Sequence, residues 1–168
     1  SIEMLDLTRK RILVTGGNGF LGSHIIKELR NVGVSEIISP SSKVCDLRKE
    51  ENIISLLKDE QPNVVIHCAA AVGGIGANRD NPGSFFYENL IMGTQLMEQS
   101  RLSNVEKFVA IGTICCYPKI TPVPFKEEEL WSGYPDETTG YYGLAKKMLL
   151  VQSKAYRKQY GFKSIFLM

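Results

Sequence analysis

The chain has 168 residues, 43% of them hydrophobic and 23% charged, and its formal net charge at pH 7 is +2. This length suffices for one domain with a sizeable core, and the composition is that of a folded globular protein rather than a disordered one. The small net charge gives no reason to expect a nucleic acid or an anionic membrane as partner, and no run reaches the ~20 apolar residues that a membrane span needs.

Strand and helix patterns alternate along the whole chain. Apolar, β-branched runs predict strands at residues 11–15, 36–39, 63–67, 107–111 and 164–168. Apolar residues at helical spacing predict helices at residues 20–32, 49–60, 83–101 and 141–160. Such alternation builds βαβ units. The sequence therefore predicts an α/β fold: a Rossmann-like, doubly wound parallel sheet with helices on both faces and a ligand at the carboxyl ends of its strands.

We interpret residues 1–168 as a single domain of this kind. The last predicted strand reaches Met168, and a strand needs flanking structure on both sides. We therefore expect the domain to be part of a longer chain.

A glycine-rich segment, Thr15–Gly22, joins the first predicted strand to the first helix. Gly16 would permit the tight turn off the strand, Gly19 the approach of a pyrophosphate to the helix N-terminus, and Gly22 close packing of helix on strand. A glycine-rich loop can also be without a ligand. Here the preceding strand and the following helix are those of a dinucleotide-binding site.

The second strand bears on which dinucleotide is bound. NAD enzymes usually end this strand with an acidic residue that holds the ribose 2′-hydroxyl. Glu36 opens the strand instead, and Ser39–Lys43 follows it with hydroxyls and one cation. This favours NADP(H), although an ordinary polar turn would have a similar composition. Asp46 and Leu47 are predicted to lie near the adenine.

The cysteine pattern bears on metal binding and on cellular compartment. The four cysteines form no CxxC pair and no cluster with metal-ligand spacing; they are Cys45, Cys68, Cys115 and Cys116. We predict no metal site, and reduced thiols in a cytoplasmic protein.

Tyr142 and Lys146 stand four residues apart at the start of a predicted helix, so both would lie on one face. Reduction of a carbonyl needs a proton donor, and a neighbouring ammonium stabilises the phenolate and brings the phenol pKa down from about 10. A helix-surface pair is the usual meaning of this spacing. Its position after the glycine segment and a fourth strand ending at Gly112–Thr113 favours a catalytic pair, with the Thr113 hydroxyl near the substrate carbonyl.

These motifs together resemble the extended short-chain dehydrogenase/reductase family. Asn89–Thr94 resembles part of that family's fourth helix. Val72–Asn78, Ile111–Lys119 and Tyr142–Lys146 resemble the GDP-L-fucose synthase family more specifically, and Ser41–Leu47 resembles the cofactor-selecting stretch of its animal members.

The resemblance implies an activity and a role for several residues. Members of the GDP-L-fucose synthase family convert GDP-4-keto-6-deoxymannose to GDP-L-fucose by epimerising C3 and C5 and then reducing the C4 ketone with NADPH. Tyr142 falls on the proton donor, Lys146 on its partner and ribose contact, Thr113 on the catalytic hydroxyl and Cys115 on the base of epimerisation. Residues predicted to contact the cofactor are Gly16, Gly17, Asn18, Gly19, Phe20, Leu21, Gly22, Ser41, Ser42, Lys43, Asp46, Leu47, Ala69, Ala70, Ala71, Asn89, Ile111 and Lys146.

Two features depart from the family pattern. Thr113 replaces a serine and Ile114 a small polar residue. The family's histidine acid and C-terminal substrate lobe would lie beyond Met168, and we interpret His24 and His67 as structural. We therefore expect these 168 residues alone to bind cofactor weakly and to be inactive.

Two alternatives remain open at this stage. One is another nucleotide-sugar 4-epimerase or dehydratase of the extended family, which would typically hold NAD and an acidic residue ending the second strand. The other is a protein that binds NADP(H) without catalysis. The intact Tyr142 and Lys146 pair argues against a redox-sensing or scaffold protein of this kind, whereas a catalytically inactive, truncated isoform fits the sequence equally well.

The helices at 83–101 and 141–160 carry more apolar side chains than one sheet face can bury. The resemblance implies a homodimer formed through these two helices. Coverage by the missing lobe is the alternative.

Overall fold

A computed structural model describes residues 6–68, 80–111 and 140–167, without the side chains of 140–146 and 167. The strands are β1 (Arg11–Thr15), β2 (Glu36–Ile38), β3 (Val64–His67), β4 (Lys107–Ile111) and β5 (Ser164–Leu167). The helices are α1 (Phe20–Asn31), α2 (Glu50–Glu60), α3 (Pro82–Leu102) and α4 (Gly140–Tyr160), and a 3₁₀ turn covers Leu7–Arg9. Every predicted element is present, with its bounds shifted by one residue at most.

The strands form one parallel sheet in the order β2-β1-β3-β4-β5. In the register of the central strand β1, Leu13 lies opposite Ile38 on β2 and Val65 on β3. The chain moves outward from β1 to β2 and then crosses back to β3, so the strand order reverses between β1 and β3. That reversal leaves a crevice at the carboxyl edge, where ligands of doubly wound folds bind.

Helices cover both faces of the sheet, which confirms the predicted doubly wound fold. On one face, Leu13, Val65 and Phe108 pack with residues of α2, α3 and α4. On the other, Ile12 and Val14 pack with residues of α1. Successive residues of a strand point to opposite faces. The central strand β1 is therefore apolar on both faces of the sheet.

Helix ends follow local chemistry. Pro82 stands at the first position of α3, where its missing N–H costs nothing. Gln61 ends α2 in the left-handed conformation with φ +46°, and its N–H donates to the Leu57 carbonyl. Pro62 then directs the chain into β3.

Within residues 6–68, 80–111 and 140–167, no helix combines the length and apolarity needed to cross a membrane. The same residues contain no group of three or more side chains placed to hold a metal ion.

Candidate cofactor-binding site

The turn from β1 into α1 is built from glycines in close contact. Gly16 has φ +71°, a left-handed conformation that glycine adopts without steric cost. The Gly19 N–H donates to the Gly16 carbonyl at 3.0 Å. A Cβ on Gly22 would lie 2.0 Å from the Gly16 carbonyl oxygen. The first turn of α1 therefore sits directly against the strand-to-helix turn.

The amino end of α1 faces the crevice without a side-chain cap. Gly19 is the N-cap residue in an extended conformation, and the first turn carries no acidic residue. The first N–H groups of a helix have no partner within the helix, and together with the helix dipole they favour an anion.

A cavity of about 660 Å³ opens beside this turn. The described residues that line it are Thr15, Gly16, Gly17, Asn18, Gly19, Pro40, Ser41, Ser42, Cys45, Asp46, Leu47, Arg48, Leu56, Cys68, Glu88 and Met92. Its volume lies within the usual range for small-molecule sites, roughly 300–1,000 Å³.

Eight of the residues predicted to contact the cofactor line this cavity: Gly16, Gly17, Asn18, Gly19, Ser41, Ser42, Asp46 and Leu47. Phe20 is 94% exposed and Leu21 and Lys43 are also exposed, and none of the three lines the cavity. Gly22 is buried against Gly16. Ala69, Ala70 and Ala71 lie outside the described residues.

Two further predicted contacts lie away from the cavity lining. Asn89 is buried in α3, and its Nδ2 donates to the Phe85 carbonyl at 2.7 Å. Ile111 ends β4 and is half-buried. Cofactor contact by either residue stays a prediction.

Three residues of the cavity lining form an ion-pair network that the sequence did not reveal. Arg48 donates through Nε and NH2 to the two carboxylate oxygens of Asp46, each at 2.9 Å, and through NH1 to Glu88 Oε1 at 3.0 Å. The hydrogen bond from Arg48 holds the pKa of Asp46 below its ordinary value, and the pKa of Arg48 is raised by its bonds to Asp46 and Glu88. The network ties the segment after β2 to α3.

The floor of the cavity links the carboxyl ends of β1 and β3. The Thr15 hydroxyl lies 2.7 Å from His67 Nδ1, and it accepts from the Cys68 N–H at 3.1 Å. His67 is fully buried, which agrees with its interpretation as structural. His24 lies exposed on α1.

The end of β2 has the arrangement expected from the sequence. Glu36 lies at the amino end, where its carboxylate pairs with Arg11 at 2.7 Å. At the carboxyl end, Ser39 Oγ donates to the Val14 carbonyl at 2.8 Å. A Cβ on Gly17 would lie 1.9 Å from that Ser39 oxygen. The cavity therefore has no acidic residue at the position where NAD enzymes usually carry one.

Tyr142 and Lys146 both lie in the first two turns of α4, and their side chains are outside the described part. Helix α4 ends shortly before β5 begins, so its carboxyl end lies at the amino edge of the parallel sheet. Its 21 residues extend about 30 Å at 1.5 Å each, and its first turns therefore lie toward the carboxyl edge. Thr113 and Cys115 lie outside the described residues.

Comparison with known proteins agrees with this geometry. A GDP-L-fucose synthase from Sinorhizobium fredii is 41% identical over 160 residues, which are 95% of this chain and 51% of that protein. The structure of a GDP-mannoheptose C4 reductase from Campylobacter jejuni with NADP bound has a TM-score of 0.87 at 28% identity, covering 95% of this chain and 50% of that one. A GDP-L-fucose synthetase from Naegleria fowleri bound to NADP has a TM-score of 0.81 at 28% identity, covering 95% and 52%.

The chain thus spans about half the length of the relatives it matches. The model of the NAD dependent epimerase/dehydratase family matches residues 12–168, and the chain belongs to that family.

Proposed function

We propose that this chain is the dinucleotide-binding part of an NADP(H)-dependent GDP-sugar epimerase-reductase that forms GDP-L-fucose from GDP-4-keto-6-deoxymannose. The observation that carries the proposal is the cavity at the β1/β3 reversal, whose wall is the glycine turn and the uncapped amino end of α1. The 41% identity to a GDP-L-fucose synthase supports the choice of substrate.

The lining residues fit a dinucleotide. Gly16 and Gly19 leave the main chain accessible for a pyrophosphate, and the first turn of α1 offers it free N–H donors. Leu47, Leu56 and Met92 supply apolar contacts for an adenine further along the cavity. The polar turn and apolar extension suit the two halves of an adenosine diphosphate group.

NADP(H) is the cofactor we propose. Among the described residues, Ser39 and Pro40 follow β2 where a carboxylate would accept a ribose 2′-hydroxyl, and Glu36 is at the other end and bonded to Arg11. Two structural relatives were solved with NADP.

When bound, NADPH supplies the hydride that reduces the C4 ketone. We assign Tyr142 as the group that gives the proton to the C4 oxygen, with Lys146 stabilising the resulting phenolate and contacting the ribose. The Thr113 hydroxyl would donate to the same oxygen and orient the ketone. Hydride at carbon and proton at oxygen together complete the alcohol.

Epimerisation comes before reduction in this scheme. Protons next to a ketone are acidified because their loss gives an enolate, and a thiolate is a suitable base. We assign Cys115 as the group that removes the C3 and C5 protons, with each carbon reprotonated on its other face by a separate acid.

The test uses the whole protein with GDP-4-keto-6-deoxymannose and NADPH in deuterated water. We expect NADPH oxidation and deuterium at C3 and C5 of the product. Tyr142→Phe should lower NADPH oxidation by about 10²-fold or more and retain deuterium exchange, whereas Cys115→Ser should abolish exchange. Failure of the unaltered protein to oxidise NADPH with this ketone would refute the proposed function.

A simpler GDP-sugar C4 reductase is the second candidate, favoured by the TM-score of 0.87 to the GDP-mannoheptose C4 reductase. Such an enzyme would oxidise NADPH without placing deuterium at C3 or C5. The same experiment therefore separates the two.

We also propose that the protein is a cytoplasmic homodimer. Among the described residues, Cys45 is a free thiol, as expected in a reducing compartment. Tyr87 on α3 and Val151 on α4 are 62% and 45% exposed, which supports a second copy packing on these helices.

A further inference from the structure

A second cavity lies along the side of α1, and we call it the α1 groove. Its volume is about 530 Å³, and its lining consists of Gly17, Asn18, Ser23, Ile26, Lys27, Arg30, Asn31 and Ser39. Gly17 and Asn18 line both this groove and the cavity described above, which we call the cofactor cavity, so the two adjoin at the glycine turn.

The two cavities differ in charge. Of the described residues, those lining the α1 groove include the cations Lys27 and Arg30 and no carboxylate. Neither cation has an ion pair with any residue in the described ranges. The described lining of the cofactor cavity includes one cation, Arg48, which is already bonded to both Asp46 and Glu88. A phosphate monoester is therefore repelled by the outer cofactor cavity and attracted by the α1 groove.

The position of the α1 groove matches that of a phosphate on the adenosine ribose. With a pyrophosphate at Gly19, the adenosine ribose would lie beside the carboxyl end of β2, where Ser39 lines the α1 groove. Ser39 turns its hydroxyl toward β1 to bond the Val14 carbonyl. A substituent on the ribose 2′ oxygen would then lie near Asn18 and Ser39, both of which line the α1 groove.

The side chains of Lys27 and Arg30, further along α1, can reach toward Asn18 and Ser39. Residues 23, 27 and 30 lie on one face of the helix because of their spacing. Helical side chains lean toward the amino end, which is the end that meets the glycine turn. Both cations are exposed and line the groove, so their charges are accessible to a ligand there.

We infer that Lys27 and Arg30 bind the 2′-phosphate of NADP(H) and so determine its selection over NAD(H). This inference rests on the proposed dinucleotide binding. It places the selecting charge on α1, whereas the sequence pattern placed it in Ser39–Lys43, whose cation Lys43 lines neither cavity.

The experiment measures dissociation constants of the whole protein for NADPH and NADH by fluorescence titration. Lys27→Gln and Arg30→Gln should each weaken NADPH binding by about fivefold, and the double variant by about 20-fold, because each removes one exposed charge contact to phosphate. NADH affinity should stay within about twofold. The probes 2′,5′-ADP and 5′-AMP should reproduce the difference, since they differ only by the 2′-phosphate.

Lys58→Gln is the matched control, because Lys58 is exposed on α2, on the opposite face of the sheet, and lines neither cavity. It should leave both constants unchanged. The inference is overturned if the double variant keeps its NADPH preference, if NADH affinity falls equally, or if Lys43→Gln alone removes the preference. If the unaltered protein binds neither dinucleotide, dinucleotide binding itself is refuted.

Discussion

At the scale of single residues, the glycine turn restricts which side chains the sequence can carry, most strongly at Gly22. Gly22 is a helical residue whose missing side chain leaves room for a backbone carbonyl, and no rotamer change can relieve a clash there. Gly83 also lies in the first turn of a helix, but a Cβ there would meet nothing within 4 Å. The two positions form a matched pair.

Gly22→Ala should destabilise the protein by about 1–3 kcal/mol, because the added methyl would lie 2.0 Å from the Gly16 carbonyl oxygen and must push α1 from the turn. Dinucleotide affinity should fall with it. Gly83→Ala should instead change stability by less than about 1 kcal/mol, in the stabilising direction. Urea unfolding measures both, and equal effects of the two substitutions would contradict the close contact.

Cys45 offers a pH-dependent prediction. Burial raises the pKa of this thiol, and the adjacent Asp46 carboxylate raises it further. Folding therefore favours the neutral thiol, so its contribution to stability is present below the ordinary thiol pKa of about 8.5 and is lost as pH rises above it.

Iodoacetamide should accordingly label Cys45 slowly at pH 8 in the folded protein and quickly in urea, because the thiolate is the reacting form. Peptide mass spectrometry gives the rate at this residue. Cys45→Ala should make the stability loss above pH 8.5 smaller. Labelling in the folded protein as fast as in urea would contradict the burial.

The sequence predicted the position of a residue correctly where that position depends on its neighbours in the chain. Gly16 forms the turn after β1 and Glu36 begins β2, and both places follow from strand ends that the apolar pattern indicates. Arg48 and Glu88 stand 40 residues apart, and their pairing depends on how α3 packs against the segment after β2. Charge pattern along the chain contains no signal for such a contact.

At the scale of elements, the segment from Ser39 to Lys49 is held by long-range bonds at several points. Arg48 reaches Glu88 on α3, and Gln95 Nε2 on the same helix donates to the Arg48 carbonyl at 3.2 Å. This segment forms one wall of the cofactor cavity. The shape of that wall therefore depends on α3.

Arg48→Gln should weaken binding of both NADPH and NADH by about three- to tenfold, because the wall loses its link to α3 while Asp46 and Glu88 are left without their cation. Loss of stability should be small, as both pairs are partly exposed. Arg9→Gln is the control, since its pair with Asp6 is exposed and remote from the cavity. Unchanged affinity in Arg48→Gln would show that the network has no part in shaping the wall.

The bounds of the helices and strands were predictable because proline and other turn residues stand where the hydrophobic periodicity stops. Pro62 follows the end of α2 and Asn81–Pro82 marks the start of α3, whatever the tertiary context. The strands at the centre of the sheet are recognisable as continuous apolar runs. The elements that pack against α3 could not be predicted from the sequence. Gly93 brings α3 close to Leu149 of α4, where a Cβ would lie 3.3 Å from the leucine side chain, and single-sequence patterns do not report such helix pairs.

At the scale of the whole molecule, the two edges of the sheet have different tasks. The amino edge is closed by ion pairs, with Arg11 bonded to Glu36 and Glu60 and Lys10 to Glu106. At the carboxyl edge, the glycine turn lines the cavity that we propose for the dinucleotide. The ion pairs of the amino edge tie the start of β1 to β2, to the end of α2 and to the residue before β4.

The sheet faces differ too, and this leads to the prediction on assembly. α3 and α4 pack together, with Gln152 Nε2 donating to the Thr94 carbonyl at 3.0 Å. Tyr87 of α3 and Val151 of α4 are 62% and 45% exposed. In the proposed dimer, a two-fold interface would place the helix pair of one copy on that of another and cover these side chains.

Tyr87→Glu combined with Val151→Glu should convert the proposed dimer to a monomer, because two carboxylates per copy would be buried without partners. Sedimentation velocity of the whole protein measures this directly. Val32→Glu is the matched control, since Val32 is 60% exposed and follows α1 on the opposite face of the sheet, and it should leave the dimer intact. A monomeric unaltered protein, or a double variant that remains dimeric, would contradict assembly through α3 and α4.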